Sequence, residues 1–294
     1  MKRRILAFIV FLGIILSLTA CSHIGGNSSS FSILFIDVGQ GDSALVECDG
    51  HYMLIDGGPT KAGDKVYQVL EEKGVQRLDF LIISHMHEDH IGGLAKALTY
   101  ASSIKKTLSN VPLGNKAKDE DKRATEKLEA QLNKNGTRIT VPKVGEKFKL
   151  GSAEVEVADV SSAEENDSLV LLITYGKTRF LFTGDIEEKA QDRVRQKYQK
   201  QDDDLFKIDV MKIPHHGAQR LNYAFLNAFM PTYAVISVGE NNQYNHPHPL
   251  LIEQLDQLKR GENGLKEVYR TDKNGDITVV SNGKTLSIES SNKK

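Results

Sequence analysis

Residues 84–93 read Ser-His-Met-His-Glu-Asp-His-Ile-Gly-Gly, and they constrain the fold of this chain more than any other stretch. Four groups that can ligate divalent cations, His85, His87, Asp89 and His90, fall within six positions. Imidazole nitrogen and carboxylate oxygen are the donors that borderline metals such as zinc accept. The run before them, Leu78 to Ile83, is largely apolar and ends in β-branched residues, so it reads as a buried strand. A helix is expected from about Ile91 to Tyr100, with Gly92-Gly93 letting the backbone pack closely. Ligands on a tight loop between two rigid elements are held in place before a metal arrives. A structural role would not call for four titratable groups on one short loop. His23 and His51, each alone, read as solvated side chains.

Alternating apolar residues predict a strand over Phe31–Val38. Strands at Ala44–Cys48 and Tyr52–Ile55 follow, joined by the turn signal Asp49-Gly50. Val66, Val69 and Leu70 give Lys65–Lys73 a helical period, and Gly74 stops it. Ala117–Asn133 reads as a surface helix with Ala124, Leu128 and Leu132 on its apolar face. Its cations, Lys116 and Lys118 among them, interleave with Asp119, Glu120, Asp121, Glu126 and Glu129, so a solvated face is expected there and not a nucleic-acid stripe. Further strands are expected at Ala153–Ala158, Leu169–Tyr175, Arg179–Thr183, Lys207–Ile213 and Tyr233–Val238. Helices are expected at Ile186–Tyr198, Leu221–Phe229 and Leu250–Leu258, and three short strands end the chain. This order suits two sheets packed face to face with helices outside.

Six further segments stand in order along the chain: Asp37-Val38-Gly39-Gln40-Gly41-Asp42-Ser43, Leu54-Ile55-Asp56-Gly57-Gly58, Asn166-Asp167-Ser168-Leu169-Val170-Leu171, Thr183-Gly184-Asp185, Pro214-His215-His216-Gly217 and Asn245-His246-Pro247-His248-Pro249. The histidine cluster resembles the H-x-H-x-D-H signature of the metallo-β-lactamase superfamily. Together with the ordered segments, it makes residues 31 to about 290 resemble the soluble metallohydrolase domain of the ComEC competence family. The resemblance implies an α/β fold, the αββα sandwich of two mixed sheets with outer helices. It also implies two divalent metal ions, zinc by default. His85 and His87 would bind one, and Asp89 and His90 the other, with either His215 or His216. Asp185 would bridge them, and it could also cap the helix that follows. The implied reaction is metal-assisted hydrolysis of a phosphodiester.

Many superfamily members carry a histidine between the first cluster and the bridging aspartate, but residues 91–184 contain none. Asn166 or Asp167 could supply an oxygen there, and a site richer in oxygen also suits manganese. Asp37 and Asp56 precede or adjoin glycines near strand ends and are expected in turns or behind the ligands. Asp42 and Ser43 give a weaker signal still. His246 and His248 flank Pro247, and a rigid imidazole near a cleft mouth suits a general acid or a phosphate contact. Asp89 carries a catalytic role as well as a ligand role in this scheme.

Lys2, Arg3 and Arg4 precede the apolar stretch Ile5–Leu18, which is short for a membrane span. The stretch ends in Leu18-Thr19-Ala20-Cys21, which resembles a bacterial lipobox and implies lipid attachment at Cys21. Residues 22–30 form a Gly/Ser/Asn tether. The expected organisation is a signal over residues 1–20, a tether over 21–30 and one hydrolase domain over 31–294. A lipid anchor would hold the domain at the outer face of the cell membrane. Cys48 then has no disulfide partner and is expected as a half-buried core residue. Formal net charge is −1, and without Lys2, Arg3 and Arg4 it is −4, so no global basic field draws in nucleic acid. The substrate expected is DNA or another phosphodiester polymer. The alternatives are a teichoic-acid phosphorylcholine esterase and a catalytically weak binding lipoprotein.

Overall fold

A computed structural model describes residues 30–112, 119–162, 166–199, 207–259 and 264–292. The expected signal, lipidated Cys21 and nearly all of the tether lie outside the described residues, as do Lys116 and Lys118. No helix among the described residues is long and apolar enough to cross a membrane.

The first sheet is built from β1 (Phe31–Phe35), β2 (Ala44–Cys48), β3 (His51–Ile55), β4 (Arg77–Ile83), β5 (Ser103–Ser109), β6 (Ile139–Thr140), β14 (Ile277–Ser281) and β15 (Leu286–Ser290). Its order is β15-β14-β1-β2-β3-β4-β5-β6. The second sheet holds β7 (Lys147–Leu150), β8 (Ala153–Val160), β9 (Leu169–Tyr175), β10 (Thr178–Phe182), β11 (Val210–Lys212), β12 (Tyr233–Ile236) and β13 (Glu267–Arg270). They run in the order β13-β12-β11-β10-β9-β8-β7. Both sheets mix parallel and antiparallel pairs: β3–β4–β5 and β10–β11–β12–β13 are parallel.

Period-two side-chain geometry explains the layering. In β1, Phe31, Ile33 and Phe35 face the second sheet. Phe31 stacks on Tyr175 and Phe180 at centroid distances of 5.0 and 4.8 Å, and Phe35 stacks on Phe182 at 5.5 Å. β9 is apolar on both faces. Leu169, Leu171 and Ile173 enter this inter-sheet core, while Val170 and Leu172 face the outer helices. Those helices are α5 (Glu188–Tyr198), α6 (Tyr223–Phe229) and α7 (Pro249–Lys259). On the other side α1 (Gly63–Glu72), α2 (Glu88–Ile91), α3 (Leu94–Ala97) and α4 (Asp119–Lys134) cover the first sheet. Ala124, Leu128 and Leu132 are the buried face of α4, in keeping with the amphipathic pattern. The result is the αββα sandwich that the motif order implies.

Several boundaries differ from expectation. The helix expected at Ile91–Tyr100 starts earlier, at Glu88, and is two short helices interrupted at Gly92-Gly93. Only glycine fits at 93: a Cβ there would lie 2.1 Å from the Gly57 carbonyl oxygen. The strand expected over Lys207–Ile213 is only Val210–Lys212, and β1 ends three residues before Val38. No periodicity in the sequence marks β5, β6 and β7. They are rich in Lys, Ser and Thr and lie at or next to sheet edges, where the apolar alternation that marks a strand fades. Cys48 is fully buried, not half-buried.

Candidate metal centre

The cluster forms where strands from both sheets end on the same side. Asp56 follows β3, and Ser84 and His85 follow β4. Asp185 follows β10, Lys212 ends β11, and Ser237 follows β12. Ser168 immediately precedes β9. Carboxyl ends of parallel strands commonly gather polar groups in this way.

Each central imidazole is oriented from behind. His90 Nδ1 lies 2.9 Å from Asp56 Oδ2, so the Nδ1–H donates to that carboxylate and Nε2 faces the cluster. His216 Nδ1 lies 3.0 Å from the Ser237 carbonyl oxygen, which fixes the same tautomer. His85 Nδ1 has Ser84 Oγ at 3.1 Å and Ser168 Oγ at 3.4 Å. Its Nε2 is 3.0 Å from His87 Nδ1. Asp56 also accepts from the Ser84 backbone N–H and hydroxyl at 2.8 and 2.6 Å, so one buried carboxylate braces two histidine-bearing segments. Outer partners of this kind set ring orientation and ligand basicity in metal sites.

Asp185 Oδ2 is the shared point. It lies 3.2 Å from His90 Nε2, 3.4 Å from His216 Nε2, 3.9 Å from His85 Nε2 and 4.0 Å from His215 Nε2. Its other oxygen, Oδ1, faces the ammonium of Lys212 at 3.5 Å. Asp89 Oδ2 reaches His216 Nε2 at 3.2 Å. The buried His90 Nε2 and His216 Nε2 make no hydrogen bond, although both stand against carboxylate oxygens. Two groupings, His85/His90/Asp185 and Asp89/His90/His216, bring their donor atoms within 4.8 Å of one another.

Charge accounts for the remaining features. Burial alone would raise the pKa of Asp185, but His216, His90 and Lys212 outweigh it and hold the carboxyl well below its usual range. His90 and His216 are lowered by burial but raised well above the ordinary imidazole value by Asp185, with Asp56 acting on His90 and Asp42 on His216. Burial dominates at His85 and pushes it down. Asp42, Asp56, Asp89 and Asp185 thus face one ammonium, Lys212. With neutral imidazoles, three negative charges remain uncompensated, which divalent cations would offset. Inward-facing Nε2 atoms, a shared carboxylate and this acidic balance, met in the metal-free chain by protons on His90 and His216, all fit a divalent metal centre.

Two of the central residues were missed or underrated in the sequence. Asp42, rated weak there, is buried and pairs with Lys212 and with His216 Nδ1 at 3.4 Å. It reaches the centre because Gly41 adopts φ +136° against the metal loop. A Cβ there would fall 2.2 Å from the Asp89 carbonyl oxygen. Lys212 was read only as part of a strand. Its signal was a lone lysine among Val210, Met211 and Ile213 just before the histidine pair. Burial lowers its pKa, but Asp42 and Asp185 raise it further, so it stays charged.

Other expectations need correction. Asn166 donates to Glu187 at 2.8 Å, and Asp167 accepts from Arg193 at 2.7 Å, so neither carboxamide nor carboxylate reaches the cluster. Ser168, next in the chain, does. Asp37 accepts from the Gly39 N–H in a turn, one of the two settings expected for it. The cap of α5 is Glu187, not Asp185. His248 accepts the Leu250 N–H at 3.2 Å at the start of α7 and belongs to the helix end, not to the centre. His215 and His216 are parted by their backbone: both are left-handed, at φ 49° and 51°, which sends the two rings apart. His216 is buried in the cluster, whereas His215 stays 26% exposed beside Glu187. His246 stacks edgewise on His215 at 5.8 Å. Burial first, and then His216 and His215, push its pKa down to about 4. A ring that is neutral at pH 7 is a poor general acid, which counts against that role.

Residues 36–240 match the model of the metallo-beta-lactamase superfamily. The chain belongs to that superfamily. Among curated proteins, this metallo-beta-lactamase-fold chain is 30% identical over 273 residues to "ComE operon protein 3" of Bacillus subtilis (strain 168). That match covers 85% of this chain and 33% of the relative. It is 29% identical over 241 residues to "Competence protein ComA" of Neisseria gonorrhoeae, covering 81% of this chain and 30% of that one. The chain thus spans about a third of the length of these relatives. Among solved structures, the metallo-beta-lactamase fold protein YhfI from Bacillus subtilis aligns with a TM-score of 0.51 at 12% identity. It covers 81% of this chain and 96% of that one, a likeness of fold alone. The chain is therefore a metallo-beta-lactamase superfamily hydrolase related to competence proteins.

Proposed function

We propose that this protein is a metal-dependent phosphodiesterase that cleaves DNA, anchored by lipid at Cys21 on the outer face of a bacterial membrane. The observation that carries the reading is Asp185 Oδ2, placed within 4.0 Å of four imidazole nitrogens on a chain related to competence proteins. His85 and His87 with Asp185 would hold one divalent cation, and Asp89, His90 and His216 with Asp185 a second. Zinc is the default and manganese the alternative. When bound, the cations supply an acidified water and neutralise charge on phosphate oxygens.

The chain's own residues do the rest. Asp56 and the Ser237 carbonyl lock His90 and His216 with Nε2 inward. Lys212 balances Asp42 and Asp185, so both carboxylates stay ionised without a proton. His215, 26% exposed beside Asp185, would face the substrate. His246 accepts from the Gln40 amide through Nδ1 at 3.4 Å, which leaves Nε2 protonated and able to donate to a phosphate oxygen.

The test is cleavage of single- and double-stranded DNA by the purified chain with Mn²⁺ or Zn²⁺, beside Asp89→Ala and Asp185→Ala. Cleavage that needs metal and disappears in both variants is expected. Metal uptake without DNA cleavage sinks the nuclease reading and points to another phosphodiester, with a nitrophenyl phosphorylcholine as the next substrate to try.

A further inference from the structure

Beside the metal loop lies an open cleft of about 1030 Å³, with Asp89 in its lining. Its wall is unexpected for a site that takes a polyanion. Asp37, Glu88, Glu240 and Asp272 line it together with Asp89, against Lys61 as the one cation in that lining. Beyond the metals, then, this wall offers phosphate little attraction. Whatever it holds of a nucleic-acid strand must be gripped by something other than charge.

Tyr244 on the same wall supplies such a grip. It is 57% exposed, among the most exposed large apolar side chains of the described residues. Its ring lies nearly parallel to His246, at 5.5 Å and 28°. His246 in turn lies nearly parallel to His216 of the metal centre, at 6.4 Å and 26°. The rings therefore form a stack leading from the centre to the cleft wall. The loop beneath is braced. Asn242 Nδ2 donates to the carbonyls of Gly239 and His246 at 2.9 and 2.7 Å. Its Oδ1 accepts the N–H groups of Tyr244 and His246 at 3.1 and 3.0 Å. Gln40 ties the same loop to the strand β1 side through Gly239 and His246. The backbone that carries the ring is thus held, and the ring itself leans on His246. An exposed aromatic face beside a phosphodiester-cleaving centre is what a nucleobase stacks on, and such stacking needs no charge and tolerates any base.

We propose that Tyr244 is a stacking platform for a nucleobase next to the phosphodiester being cut. The proposal rests on the phosphodiesterase reading above and names the part of the substrate that this wall recognises. It makes base-bearing single strands better substrates than a deoxyribose-phosphate chain without bases.

The experiment compares cleavage of a single-stranded oligonucleotide with that of an equal-length strand whose central residues are abasic. Wild type, Tyr244→Ala and Tyr244→Phe are assayed as full chains with the metal that supports cleavage. Wild type should show a lower KM on the base-bearing strand. Tyr244→Ala should erase that preference, raising KM about tenfold on the base-bearing strand with little change in kcat. Tyr244→Phe, which keeps the ring, should restore it. A second readout does not depend on turnover. The chain has no tryptophan, so Tyr244→Trp places one fluorophore in the stack, and the base-bearing strand should quench it more than the abasic strand does. Equal loss on both strands in Tyr244→Ala, or equal quenching by both, overturns the stacking platform while leaving the nuclease intact. Failure of wild type to cut either strand removes the phosphodiesterase reading and the platform with it.

Discussion

The two halves of the metal centre share Asp185 but are built differently. Around His90 and His216, each ring has a fixed acceptor behind it: a buried carboxylate for one and a backbone carbonyl for the other. Asp89 closes that half, and Lys212 offsets Asp42 beside it. Around His85, the backing consists of serine hydroxyls, Ser84 and Ser168. The difference teaches that one half is backed by a carboxylate and a carbonyl and the other by hydroxyls, so a metal held by the second should be the more exchangeable. A metal should therefore settle first among Asp89, His90 and His216, and the second should come and go with its concentration.

The largest break of this comparison is Asp185→Ala, which removes the oxygen both halves use. Metal content should fall at both positions and cleavage by more than about 100-fold, beyond the loss of any outer partner. Retention of one full metal by elemental analysis would show that the halves do not depend on a shared carboxylate. Next is Lys212→Met, which leaves Asp42 and Asp185 buried beside one another without their cation. The metal-free chain should lose about 3–5 kcal/mol in urea unfolding. An unchanged midpoint would mean that water or protons already balance the pair. Asp56→Asn should weaken the position at His90 and His216 about 10- to 100-fold while the one at His85 moves less. Ser168→Ala should do the reverse and by less, under about tenfold, because a hydroxyl backs a ring more weakly than a carboxylate.

Acid should act mainly on the half around His90 and His216. In the metal-free chain, His90 and His216 have raised pKa values because Asp185, Asp56 and Asp42 stabilise their charged forms. That stabilisation is complete below the unfolded value of about 6.5 and fades as pH rises through the raised folded value. A metal replaces those protons, so its uptake should release them. Affinity should fall by about tenfold for each pH unit per displaced proton as the solution is acidified. Calorimetric heats that do not vary with buffer ionisation enthalpy would contradict this.

Much of this centre was legible in the sequence, for a physical reason. His85, His87, Asp89 and His90 are consecutive enough that one strand end and one helix start must bring them together. β9 and α4 were equally plain, since their apolar periods are uninterrupted. What escaped detection depends on long-range packing. Asp42 comes to the centre only because Gly41 lets its segment lie against the Asp89 backbone, and Lys212 only because β10 and β11 run parallel with their ends together. Asp167 looked like a ligand by position, yet Arg193, 26 residues on, draws it away. His215 and His216 could not be separated from sequence because the two left-handed residues that part their rings are set by the turn they occupy.

The most direct test is a calorimetric titration of the metal-stripped chain with Zn²⁺ and with Mn²⁺, paired with elemental analysis. Two metals per chain, binding in two unequal steps with proton release on the tighter one, are predicted. A single class of equal sites, or binding that survives Asp185→Ala undiminished, would contradict a centre of two unlike halves joined at that carboxylate.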